Sequence, residues 1–146
     1  MVNDFLITDI NLEGFQVVHG GYFQKQQASQ MTLWKNAVQF NAKTFQTLSN
    51  CECIKMLVNK KARQILIQPC PSKDPDAISW MKDAEDPRTR KLACEPLARQ
   101  IFDGWGWDTN YHYRTNGMLV RSEDRLMMLF DFKAPEIWNG MKMVKK

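Results

Sequence analysis

At 146 residues, with 44% hydrophobic and 11% aromatic content, the chain can fill one hydrophobic core, which excludes a wholly disordered protein. No run approaches the ~18 consecutive apolar residues that a membrane helix needs. The formal charge of +4 is mild but unevenly spread: residues 31–70 hold six Lys/Arg against one acid, Glu52, and residues 141–146 add three lysines.

The first four residues, Met1-Val2-Asn3-Asp4, carry no basic leader, and Phe5-Leu6-Ile7 is too short for a signal peptide, so the expected location is the cytoplasm. Residues 1–30 read as an N-terminal strand extension, with a strand at Phe15 to Val18 ended by Gly20-Gly21 and a polar loop from Gln24 to Gln30. Thr32 to Phe40 reads as one strand, because Val38 and Phe40 alternate with Gln39. Asn41 is a suitable N-cap for a short helix over Ala42 to Leu48, with Phe45 and Leu48 on one face and a stop at Asn50. A hairpin follows: Ile54 to Val58 outward, a turn at Asn59-Lys60-Lys61-Ala62, and Arg63 to Gln68 back until Pro69 and Pro71 end the pairing.

Residues 71–90, with Pro71, Pro75 and Pro87 and alternating charges, form a connector in which only Ile78, Trp80 and Met81 offer anchors. A second unit, 91–135, opens on a short strand from Arg90 to Ala93. Glu95-Pro96 then starts a helix, since proline at the first helical position loses no hydrogen bond; Leu97, Ala98, Ile101 and Phe102 share its face, and Gly104 closes it. Asn110 to Arg114 is a strand candidate, Asn116-Gly117 a bend or bulge, Arg121 to Asp124 a turn, and Arg125 to Phe132 the return arm. Residues 136–146 form a basic tail, with Ile137-Trp138 able to dock on the body.

Met56-Leu57-Val58 with Arg63 recurs as Met118-Leu119-Val120 with Arg125, four identities within eight positions at a constant offset of 62 residues. The order strand, helix, hairpin is common to both halves, which points to an internal repeat; chance likeness of two Met-rich hairpins is the alternative. The return arms Ile65-Leu66-Ile67 and Leu126 to Phe130 are continuously apolar, the pattern of strands buried on both faces. The expected fold is therefore a single α+β, mainly β domain: a small closed or nearly closed barrel made of two strand-helix-hairpin repeats.

This double arrangement, over roughly Met31 to Cys70 and Thr89 to Phe132, resembles the swapped-hairpin AbrB class and its two-copy MraZ-type relatives, whose topology family includes double-psi barrels. Ala37-Val38-Gln39-Phe40-Asn41 occupies the place of that class's pre-helix segment, with Lys43 at the helix start and Cys51-Glu52-Cys53 after the helix. The resemblance implies a non-enzymatic transcription regulator that binds DNA. Lys35, Lys43, Lys55, Lys60, Lys61 and Arg63 are the residues to contact phosphates, giving salt-dependent, largely sequence-blind affinity. A solvated basic face is the alternative use of the same charges.

A second expectation is a protein-interaction or self-associating accessory module of a mobile-element or phage-like system. Trp105, Trp107 and Trp138 are its candidate interface anchors; simple core filling is the competing use of Gly104-Trp105-Gly106-Trp107. For an enzyme, Asp108 and His112 are the one acid–base pair to consider, and neither a nucleophile nor a phosphate-binding glycine loop accompanies them. Cys51, Cys53, Cys70 and Cys94 lack the paired knuckles of a structural zinc site, so neither metal nor cofactor is expected and the thiols read as inert.

Overall fold

The computed structural model describes residues 11–18, 28–80 and 90–145. Among the described residues ten strands and two helices follow in chain order: β1 (Gln30–Trp34), β2 (Ala37–Phe40), α1 (Ala42–Thr47), β3 (Cys53–Asn59), β4 (Gln64–Pro69), β5 (Ile78–Ser79), β6 (Arg90–Ala93), α2 (Glu95–Trp105), β7 (His112–Ser122), β8 (Arg125–Asp131), β9 (Glu136–Asn139) and β10 (Lys142–Lys145). All strands join one antiparallel sheet in the order β5-β3-β4-β8-β7-β1-β2-β6, with β9 beside β7 and β10 beside β9. The sheet curls into a half-barrel, so the protein is mainly β, as its sequence pattern indicates, but the barrel stays open.

Local chemistry explains most of the elements. The Asn41 side chain accepts the Thr44 N–H at 3.2 Å and starts α1; Ser49 and Asn50, both at positive φ, end it. α2 begins with Pro96 in its first turn and runs through Gly104 to Gly106, whose φ of 67° makes it the stop. The helix continues past Gly104 because Trp105 extends the buried face of Ala98, Ile101 and Phe102. Pro69 stays in the sheet opposite Ile54, while the flanking Cys70 N–H donates to Cys53 O at 3.1 Å. Pro69 thus occupies a position where the ladder asks for no donor.

Several expectations change. Among the described residues, 15–18 form no strand and are exposed; Gly20-Gly21 and Gln24 to Gln27 lie outside the described residues. Thr32 to Phe40 is not one strand but the hairpin β1–β2, folded at Lys35-Asn36 with Trp34 opposite Ala37. The turn carries no glycine or proline, and only the polar pair Lys35-Asn36 separates the two strands in the sequence. Asn116-Gly117 is not a bulge: β7 is continuous, and its hairpin with β8 turns on only Glu123-Asp124, both at positive φ. In the connector, Trp80 is fully buried against Phe40 and Phe45, and β5 pairs with β3; residues 81–89, Met81 among them, lie outside the described residues.

The two halves share their element order, β2-α1-β3-β4 and β6-α2-β7-β8, and β2 pairs with β6 as β4 pairs with β8. Both hairpins have equivalent registers at the 62-residue offset: Met56 faces Ile67, and Met118 faces Leu129. The matched residues nevertheless face opposite sides of the sheet. Opposed partners share a face, and the pairing chain Met56–Ile67–Met128–Leu119 skips Met118.

One face of the sheet carries the core. Met31, Leu33, Val38, Phe40, Ile54, Ile65, Ile67, Met128 and Phe130 meet Phe45 and Leu48 of α1, Ile101, Phe102 and Trp105 of α2, and Trp80. The indole N–H groups of Trp80 and Trp105 donate to Cys51 O (2.6 Å) and Lys60 O (2.9 Å), so neither is buried unpaired.

Candidate interaction surface

The opposite, convex face explains why β4 and β8 read as doubly buried. Leu57, Leu66, Leu129 and Met118 are successive cross-strand partners on β3, β4, β8 and β7. They form one apolar row across four strands; of the next pair on that face, Val120 is half-buried and Met127 buried. Leu57 is 43% exposed and Met118 64% exposed, whereas Leu66 and Leu129 are half-buried. Beside the row is a hollow of about 620 Å³ lined by Leu57, Leu66 and Leu129 with Val58, Asn59, Lys60 and Gln64. On the outward side of β4 and β8, Leu66 and Leu129 are apolar and half-buried, Met127 is buried, and Gln64, Gln68, Arg125 and Asp131 share that face.

The six predicted phosphate contacts do not gather in one place. Lys60, Lys61 and Arg63 share the β3–β4 turn, and the strand registers put Lys35, on the β1–β2 turn, at the same end of the sheet. Lys43 lies on α1 and Lys55 near the start of β3, both at the other end. Lys55 is also bound to Asp74 at 2.9 Å; that contact raises the lysine's pKa and, with the Asp76 N–H, lowers that of the carboxyl. Lys60 reaches Gln100 at 3.4 Å.

The tryptophans also separate. Trp105 belongs to the core, 5% exposed, and Trp107 packs against it, stacked on Tyr113 at 4.0 Å between ring centroids. These two take the core-filling use of the Trp-Gly string. Trp138 is on the convex side, half-buried, where Trp34, His112 and Trp138 are opposed on β1, β7 and β9. Trp34 and His112 stack at 3.8 Å and His112 and Trp138 at 6.4 Å, with Lys91 over Trp34 and Arg114 over Trp138. Burial, then the charges of Arg114 and Lys91, hold the His112 pKa below its ordinary value. Asp108 meanwhile accepts the Asn110 N–H at 2.8 Å as a turn residue, so this carboxylate and His112 serve separate structural ends.

A second hollow, about 700 Å³, opens where the end of α1, the end of β4 and the β7–β8 turn approach one another; Leu48, Cys51, Lys55, Cys70, Asp74 and Arg125 line it. Burial pushes the Cys51 thiol up to about 11 and raises Cys70 and Cys94 as well, so these thiols are protonated at neutral pH. Among the described residues no group of three or more His, Cys, Asp or Glu is placed to hold a metal ion, and no helix is long and apolar enough to cross a membrane. Comparison with family models, curated proteins and solved structures finds no significant match to this chain.

Nothing in the sequence reading singled out Leu57, Leu66, Leu129 and Met118 as a surface. The signal was present as apolar residues at every position of the return arms, and its assignment to a buried layer hid it.

Proposed function

We propose that this chain is a non-enzymatic protein-interaction module whose convex face receives an apolar surface of a partner. The observation that carries the proposal is the row Leu57–Leu66–Leu129–Met118, which spans four strands on the open side of the sheet beside a hollow of about 620 Å³. Contiguous exposed apolar patches are rare on soluble monomers and mark places where another surface docks. The polar groups beside the row, Asn59, Gln64 and Asn116, are the kind of rim that surrounds such a patch. Size-exclusion chromatography coupled to light scattering, run on the wild type and on Leu57→Lys/Met118→Lys, tests the self-associating form of this reading. Concentration-dependent growth in mass that the variant abolishes supports it, and a wild type monomeric at every concentration leaves the row to a different protein.

DNA binding of the AbrB-like kind is the second reading, and the exposed cluster Lys60-Lys61 with Arg63 on one turn favours it. Duplex titration at several salt concentrations checks it: affinity that falls steeply with salt and is lost in Lys60→Glu/Lys61→Glu supports DNA, and no binding at low salt removes it. Descent of the two halves from one copied strand-helix-hairpin segment is likewise a proposal. The shared element order and hairpin register support it, and the opposite facing of Met56 and Met118 weighs against it.

A further inference from the structure

We infer that Cys53 and Cys70 are a modification site: a thiol pair that closes into a cross-strand disulfide when a low-molecular-weight disulfide enters the hollow beside them. Ile54 pairs with Pro69, and the Cys70 N–H donates to Cys53 O at 3.1 Å, so the two cysteines are directly opposed on β3 and the end of β4. Opposed residues on antiparallel strands point to the same side, with Cα atoms about 5.5 Å apart in a hydrogen-bonded pair. That separation lies within the span a disulfide bridges, roughly 4.4–6.8 Å.

Their Cβ atoms stand wider apart than a relaxed disulfide prefers, so closure draws the strand end inward. Cys70 follows the last residue of β4 and precedes Pro71, where no further pairing resists that movement. A bond formed under such strain is easily reduced, which marks it as reversible rather than structural. Access is one-sided: Cys70 lines the 700 Å³ hollow and is half-buried, whereas Cys53 is buried. Cys94 precedes α2 beside β6, at the opposite edge of the sheet, and has no cysteine opposed to it.

The chemistry balances in two exchanges. The Cys70 thiolate attacks the small disulfide RSSR, forming a mixed disulfide and releasing one RS⁻, which takes up the proton that Cys70 gave. The Cys53 thiolate then attacks the Cys70 sulfur, expels the second thiol and leaves the protein oxidised by two electrons, with RSSR reduced to two RSH. Burial keeps Cys70 protonated at neutral pH, so the first exchange accelerates as pH rises.

The test uses oxidised glutathione as the probe on the reduced, folded protein, with free thiols alkylated at intervals and the products mapped without reduction. The expected product has lost two hydrogens, joins the Cys53 and Cys70 peptides, and leaves Cys51 and Cys94 open to alkylation. In Cys53→Ser the reaction stops with one glutathionyl group on Cys70. A Cys51–Cys70 bond overturns the assignment, as does a wild type that halts at the Cys70 adduct. So do four alkylatable thiols under conditions that cross-link the urea-unfolded chain. If Cys53→Ser does not fold, the wild-type peptide map decides alone.

Discussion

Asn41 ties three pieces of backbone together. Its Oδ1 accepts the N–H groups of Gln30 (3.0 Å) and Thr44 (3.2 Å), and its Nδ2 donates to Ala28 O at 2.7 Å. One amide therefore starts α1 and fixes the chain's approach to β1. Asn41→Ala removes a cap and leaves the Gln30 N–H with a weaker set of partners. The expected loss is about 2 kcal/mol, read as a fall in urea midpoint at unchanged slope. His112 provides the second residue-scale prediction. It is 3% exposed between two indoles, and the cations Lys91 and Arg114 and the carboxylate of Glu136 surround the stack. Because its pKa is lowered on folding, the unfolded chain binds more protons just below the ordinary histidine value. Stability from this site is present above about pH 6.5 and is lost as pH falls through the lowered folded pKa. Urea midpoints at about pH 5 and about pH 7.5 check it: the wild type loses more on acidification than His112→Gln does.

At the scale of elements, Gly117 shows how a strand depends on its neighbours' side chains. A Cβ there would lie 2.7 Å from both Met128 Sδ and Phe130 Cε1, so the glycine makes room for two core residues of the facing strand. Gly117→Ala is expected to cost about 1–3 kcal/mol through overpacking, measured by thermal or urea unfolding. The sequence marked this glycine as a bend, because its real reason is volume supplied from β8, which lies outside any local window. Features resting on contiguous residues were legible: the Asn41 cap, the Pro96 helix start, the Arg90 to Ala93 strand and both long hairpins. The end of α2 was not, because Gly104 is a plausible stop until Trp105 is seen to be needed in the core. The β1–β2 turn was missed because it carries neither glycine nor proline; its one local signal is the polar pair Lys35-Asn36, which breaks the alternation between Leu33-Trp34 and Ala37-Val38.

For the whole molecule, the difference between a closed barrel and a half-barrel decides the functional argument. Continuous apolar strands were read as covered on both sides, and on the concave side Ile65, Ile67, Met128 and Phe130 are fully or nearly fully buried, although Leu126 beside the β7–β8 turn is exposed. It fails for Leu66 and Leu129, which are only half-covered and continue outward into Leu57 and Met118. Where the pattern of the fold asks for polar residues and finds apolar ones, selection for something other than folding is the physical explanation. Since Leu57 and Met118 face solvent, replacing both by lysine is expected to change stability by no more than about 0.5 kcal/mol, so lost binding cannot be ascribed to unfolding. The measurement that bears most directly on this surface is photocrosslinking in the native cell, with a photoreactive side chain at Met118 and, as control, at exposed Asp103 on α2. The account predicts a discrete crosslinked species from position 118, absent from position 103 and abolished by Leu57→Lys. Equal labelling from both positions, or a species indifferent to Leu57→Lys, would contradict it.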